Sequence, residues 1–231
     1  MAILAIDAGT TGVTALVVDE RCHILSRGYG EFAQFFPRPG WVEHDVDAIW
    51  AATLGAVREA ISIVEEPITA LGITNQRETI AIWDPRTMQP ARRAIVWQDR
   101  RTSDIVEELR ARAMEPWIRS TTGLGLDPYF SSTKFLWLSR NEPELWHGVK
   151  QGRFVLGTID SYLIAKLTSG AVHVTDATNA SRTQLLDLNT ATWDDDLLEV
   201  FDVPRSALPT VVPSIGHIGT TDPHAFLGLS I

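Results

Sequence analysis

The sequence has almost no cysteine. Cys22 is the single thiol in 231 residues, so no disulfide framework exists, and a reducing, cytoplasmic setting is expected. Long apolar runs are also missing. None approaches the roughly 18–20 residues a membrane helix requires, and the opening Met1-Ala-Ile-Leu-Ala-Ile-Asp7 meets an acid too early for a secretory leader. Basic charge is scarce as well. Lys and Arg total 20 against 29 Asp and Glu, a net charge of −9, which argues against a nucleic-acid binder and by itself implies no more than solubility. Three familiar nucleotide and metal signatures are absent: G-x-x-x-x-G-K-[ST], G-x-G-x-x-G after a strand, and H-E-x-x-H. Internal repeats and low-complexity linkers are absent too. What remains is ordinary globular composition, 45% hydrophobic and 21% charged, in a length that suits one large domain or two small ones.

The pattern along the chain opens with β-rich runs. Ile3–Ile6 and Val13–Val18 flank the turn-forming stretch Asp7-Ala-Gly-Thr-Thr-Gly12, and a third strand is expected from His23 to Phe32 after a turn at Asp19–Cys22. The three form a meander. Two prolines and a glycine make Phe36–Trp41 a loop. Asp45 caps a helix whose apolar positions Ile49, Trp50, Thr53, Leu54, Val57 and Ile61 recur at helical spacing. Further strands are expected at Ile68–Thr74, Thr79–Trp83, Ala94–Trp97, Phe154–Leu156 and Arg182–Leu188. Further helices are expected at Thr102–Arg112, Thr133–Ser139 (ended by Pro143), Ser161–Leu167 and Asp194–Phe201. Alternating strands and helices after an all-β opening predict a layered α/β domain with a mixed sheet flanked by helices. Pro204–Ile231 is weakly patterned and reads as a domain edge. The apolar ending Leu229-Ser-Ile231 suggests a chain that stops short of its natural terminus.

Two stretches are candidates for chemistry. In Asp7-Ala-Gly9-Thr10-Thr11-Gly12 the glycines let backbone approach an anion, and the turn amides and threonine hydroxyls are donors. A carboxylate at the end of a buried strand needs a partner, and a hydrated Mg²⁺ carried by a nucleotide supplies one. The same residues equally describe a plain hairpin with a surface aspartate. Arg77-Glu78 follows a strand expected to be buried, where open α/β sheets place ligands. One side chain donates and the other accepts, which suits the vicinal hydroxyls of a polyol; an ordinary surface ion pair is the alternative. Trp97 and Tyr129 are either core aromatics or the walls of a small cavity with one phenolic hydroxyl. His224 reads as an ordinary loop histidine.

The wording of longer stretches narrows these alternatives. Tyr129-Phe-Ser-Ser-Thr-Lys-Phe-Leu-Trp-Leu-Ser-Arg-Asn141 fits the first signature of the FGGY carbohydrate kinases. Pro39-Gly-Trp-Val-Glu-His-Asp45, Gly72-Ile-Thr-Asn-Gln-Arg-Glu-Thr79, Ala94-Ile-Val-Trp-Gln98, Thr122-Gly-Leu, Asp127-Pro-Tyr-Phe130, His173-Val-Thr-Asp176 and Thr178-Asn-Ala-Ser-Arg-Thr183 resemble the members of that family that phosphorylate glycerol. The resemblance runs in order along essentially the whole chain. It implies an actin-like, ribonuclease H-like fold of two domains with the active site between them, residues 1–231 being the first and the C-terminal kinase domain absent. It implies ATP and Mg²⁺ as cofactors and glycerol, or a similar small polyol, as substrate. Asp7 would meet the Mg²⁺, through water, and Gly9, Thr10 and Thr11 would line the phosphate turn. Arg77, Glu78 and Tyr129 would bind glycerol hydroxyls and Trp97 would pack on its carbons. No catalytic base is expected here, because the family's aspartate belongs to a Gly-Asp-Gln-Gln run and no Gly-Asp-Gln occurs between Met1 and Ile231.

One departure from the family stands inside the phosphate turn. The glycerol-phosphorylating members usually continue it with Ser-Ser-Arg, whereas this chain has Gly12-Val13-Thr14. Another polyol or a ketose as substrate, a non-catalytic actin-like binding module, and homo-oligomerisation all stay open at this stage.

Overall fold

The computed structural model describes residues 1–231. The strands are β1 (Ala2–Ala8), β2 (Gly12–Asp19), β3 (Ile24–Glu31), β4 (Gln34–Phe35), β5 (Glu43–His44), β6 (Ile68–Asn75), β7 (Ile80–Trp83), β8 (Ala94–Ile95), β9 (Val155–Thr158), β10 (Val174–Asp176), β11 (Leu186–Asp187), β12 (Thr192–Trp193) and β13 (Thr210–Val212). The helices are α1 (Val46–Ile61), α2 (Ser103–Ala111), α3 (Glu115–Thr122), α4 (Ser131–Asn141), α5 (Pro143–Lys150), α6 (Ile159–Leu167), α7 (Ala177–Ala180) and α8 (Asp195–Val200). No helix is long and apolar enough to cross a membrane.

The opening is the expected meander. β1, β2 and β3 pair antiparallel, and β6 adds to β1 in parallel, giving the order β3-β2-β1-β6. This mixed sheet has one covered face. Ala2, Leu4, Ile6 and Ala8 of β1, with Val13, Ala15 and Val17 of β2, are buried in the core that α1 shares. Asp45 caps α1, its side chain accepting from the Asp47 and Ala48 amides. The helix lies so close to β3 that a Cβ at Gly28 would stand 1.9 Å from the Ala56 carbonyl oxygen. Only glycine fits there.

A second, five-stranded sheet, β4-β5-β8-β7-β9, is antiparallel throughout; β7, β8 and β9 overlap stretches expected to be strands, but their assembly into a separate sheet, and β4 and β5, were not foreseen. The sheet stands between two cores. Ile80, Ile82 and Ile95 join the core built with α2, α3, α4, α5 and α8, while Ala81, Trp83 and Ala94 join the core of the first sheet. With both faces buried, β7 lacks the polar alternation by which strands are usually read.

Several expectations need correction. Pro143 does not merely end a helix. It occupies the first turn of α5, where its missing N–H is no loss. The stretch Arg182–Leu188 is mostly turn. Gln184 has φ 66° and buries its amide between Ser132 Oγ and the Gly125 carbonyl, so only Leu186–Asp187 is strand, paired with β12. The helices α3 and α7 were not foreseen. β6, expected to be a buried strand, is an edge strand of mixed exposure. Pro204–Ile231 contributes β13, which pairs in parallel with β10.

Candidate active site

The parallel strands β1 and β6 end side by side, and the carboxyl ends of such strands are where open α/β sheets hold ligands. The Gly9–Thr11 turn follows β1. Residues 76–79 follow β6 and cross from the first sheet to the second. Trp97 comes just after β8, Tyr129 just before α4, and Arg182 just after α7.

Hydrogen bonds tie these pieces together. The Gln76 amide N–H donates to the Ala8 carbonyl at 2.8 Å, and its side-chain Nε2 donates to the Gly9 carbonyl at 3.0 Å. Thr79 Oγ1 donates to Gln76 Oε1 at 3.0 Å and accepts from the Trp97 amide at 3.2 Å. The Trp97 indole Nε1 then donates to Thr10 Oγ1 at 3.0 Å. A path of polar contacts thus runs from the Gly9–Thr11 turn through Gln76 and Thr79 to Trp97 and back to the turn. His44 lies behind Gln76, 3.2 Å from its Nε2; burial lowers the imidazole to about 4, so the ring is neutral at pH 7 and accepts this bond.

Trp97 meets Tyr129 edge-on, with ring centroids 5.3 Å apart. Glu78 is 2% exposed and has φ 63°, a left-handed conformation that non-glycine residues avoid. Such strain is found mainly at functional positions. The Glu78 carbonyl accepts from Ser131 Oγ at 3.0 Å, and its carboxylate accepts from Arg182 Nε at 2.7 Å. Lys134 is fully buried in the first turn of α4. Its ammonium donates to the Pro128, Tyr129 and Phe130 carbonyls at 2.7, 2.7 and 3.0 Å, fastening the segment that carries Tyr129.

Glu78, Trp97 and Tyr129 are therefore brought to one region next to Thr10, although they are far apart in sequence. Arg77 belongs to the same turn, but its side chain is exposed and makes no hydrogen bond or ion pair within the chain. Asp7 is more exposed than a residue at the end of a buried strand was expected to be. Its carboxylate is exposed and has no protein partner, because it lies on the uncovered face of the sheet. Gly9 and Gly12 do not use positive φ. Gly12 is required by crowding instead, since a Cβ there would stand 2.7 Å from the Gly30 carbonyl oxygen, a backbone atom that cannot swing away. A groove of about 450 Å³ lies elsewhere, along the free edge of β6 against α6 and residues 212–219, and none of the expected site residues lines it.

A sequence profile of the FGGY family of carbohydrate kinases, N-terminal domain, matches residues 2–230. The chain belongs to the FGGY family. It is 47% identical over 232 residues to the glycerol kinase of Halorhodospira halophila, covering 99% of this chain and 46% of that protein. It is 49% identical over 227 residues to the glycerol kinase of Methylobacterium nodulans, with 97% and 45% covered. The crystal structure of Plasmodium falciparum glycerol kinase with ADP superimposes with a TM-score of 0.94 at 35% identity, over 100% of this chain and 47% of that one. Gluconate kinase from Lactobacillus acidophilus, with a TM-score of 0.91 at 22% identity, shares the fold. This FGGY chain spans about half the length of the curated relatives it matches.

Four polar residues of this cluster escaped sequence reasoning. Gln76, Thr79, Lys134 and Arg182 all lie inside the stretches that carry the family resemblance, yet their side-chain types in isolation suggest only surface or capping roles. A lysine in the first turn of a helix was the legible clue. The helix dipole disfavours a cation there, so something else must hold it.

Proposed function

We propose that residues 1–231 form the N-terminal domain of an ATP-dependent glycerol kinase, converting ATP and glycerol to ADP and glycerol 3-phosphate. The observation that carries this reading is the 3.0 Å hydrogen bond from Trp97 to Thr10, which joins the Trp97–Tyr129 aromatic corner to the phosphate turn. Arg77, Glu78 and Tyr129 hydrogen-bond the substrate hydroxyls, and Trp97 covers its carbon chain. A bulky indole packed edge-on against Tyr129, with ring centroids 5.3 Å apart, suits a three-carbon polyol better than a larger ketose. Gly9, Thr10 and Thr11 hold the nucleotide phosphates. Phosphoryl transfer depends chiefly on such positioning and on charge stabilisation.

The residues fit a nucleotide-borne Mg²⁺. The free, exposed carboxylate of Asp7 beside the turn suits a contact through water, and no cluster of three acidic, histidine or cysteine side chains makes a cage of its own. When bound, the ion neutralises phosphate charge. The general base and the other wall of the cleft are assigned to the C-terminal kinase domain. A cytoplasmic location suits both the ATP requirement and the lone exposed thiol.

Titration of the chain with glycerol, followed by tryptophan fluorescence, tests the pocket. Glycerol has about six heavy atoms, so its binding is capped near roughly −9 kcal/mol, and half a site should reach at most about millimolar affinity. Micromolar binding would refute the half-site assignment. In a protein extended to the length of its relatives, glycerol is expected to outperform xylulose and gluconate as phosphoryl acceptor. Trp97→Phe, which keeps an aromatic face but removes the indole N–H that bonds Thr10, should weaken glycerol and nucleotide binding together.

A further inference from the structure

Glu78 is a nearly buried carboxylate, and burying such a charge without a partner is costly. Its partner is not the adjacent Arg77 but Arg182, 104 residues further along, whose Nε reaches Glu78 Oε1 at 2.7 Å. That bond is the only one the Arg182 side chain makes within the chain. The other nearby cation, Lys134, uses its three N–H groups on the carbonyls of residues 128–130. Arg182 also lies against the aromatic wall, its guanidinium carbon 5.1 Å from the Phe130 ring centroid and 5.8 Å from that of Tyr129. One side chain thus touches the acidic group of the site and backs the aromatic one. It leaves the second carboxylate oxygen of Glu78 without a protein donor.

We propose that Arg182 is the positioning residue of the polyol site. It locks the Glu78 carboxylate in the rotamer that offers its free oxygen to a substrate hydroxyl, and it braces Tyr129 from behind. Because this role rests on the glycerol-site reading, the test must separate the two. Guanidinium geometry matters here. Lysine supplies a point charge but neither the planar fork nor the stacking surface, so it is a poor replacement.

The experiment is a glycerol titration of the isotopically labelled chain by NMR. It follows the Trp97 indole resonance in the unmodified chain, Arg182→Met, Arg182→Lys, Glu78→Gln and the Arg182→Met/Glu78→Gln double variant, and the side-chain carboxyl carbon of Glu78 in the three chains that keep it. Arg182→Met is expected to move the Glu78 carboxyl resonance before any glycerol is added and to weaken glycerol binding by about tenfold. Arg182→Lys should recover only part of that loss, and the double variant should be no weaker than the worse single one. Additive losses, or an unmoved Glu78 resonance, would overturn the proposal. Glycerol binding that Arg182→Met leaves intact overturns the role of Arg182 alone. Absence of saturable binding in the unmodified chain overturns the glycerol-site reading and the role with it. If Arg182→Met does not fold, Arg182→Lys decides: unchanged affinity rejects the proposal and a severalfold loss supports it.

Discussion

Replacing Lys134 by methionine probes the buried cation that fastens the Tyr129 segment. Burial lowers this lysine from 10.5 to about 7, against the opposing pull of the Asp99, Glu78 and Asp127 charges. Below about 7 the native and the unfolded chain both hold the proton, and the burial penalty is felt in full. Between about 7 and 10.5 the unfolded chain holds it and the native chain has released it, so stability rises with pH through that window. The slope reaches about 1.4 kcal/mol per pH unit, and between pH ~6.5 and ~9.5 the gain is about 3 kcal/mol. The neutral amine keeps two N–H groups, enough for two of the three carbonyls it now serves. Lys134→Met removes all three bonds and leaves buried acceptors unpaired, at roughly 1 kcal/mol or more each, while relieving the burial of the amine. The net change at neutral pH therefore mixes two opposed effects, whereas the pH dependence isolates the lysine. Urea unfolding followed by tryptophan fluorescence at the two pH values measures it. The stability difference between the original chain and the variant should shift by about 3 kcal/mol in favour of the original at the higher pH. A constant difference would refute the assignment of a proton-releasing buried lysine.

Three further outcomes are expected. With Mg·ATP and glycerol, the chain alone should form no glycerol 3-phosphate above the no-enzyme blank, since a general base is typically worth roughly 10²–10⁴ in rate; product would place that base within residues 1–231. The uncovered face of the first sheet aligns Ile3, Val18 and Ile24 across three strands, with Ile3 42% and Ile24 63% exposed. The chain should accordingly associate as concentration rises, and Ile3→Lys should weaken this in light-scattering measurements; a chain that stays monomeric at high concentration contradicts it. Thr14 is the cross-strand neighbour of Asp7, so Thr14→Arg puts a guanidinium beside the phosphate turn. It should tighten ADP binding by severalfold in calorimetry, and weaker binding would indicate that the new arginine pairs with Asp7 instead.

The sequence by itself determined a good part of this protein. Local signals sufficed for the opening meander, because alternation and a glycine-rich turn act within a few residues, and for α1, whose cap and apolar stripe are contiguous. The family, and with it the general place of Glu78, Trp97 and Tyr129, was legible because long stretches match at once. Tertiary structure alone decided the rest. The antiparallel sheet between two cores is buried on both faces, so the apolar runs of β7 and β8 read as strands but carry no alternation that says which sheet they join or which core each face meets. The exposure of Asp7 depends on which face α1 covers, and one strand cannot report that. The partner of Glu78 was invisible for a similar reason. Arg77 stands next to it in sequence, but the crossing between sheets turns the Arg77 side chain to solvent, and chain reversal after α7 delivers Arg182 in its place.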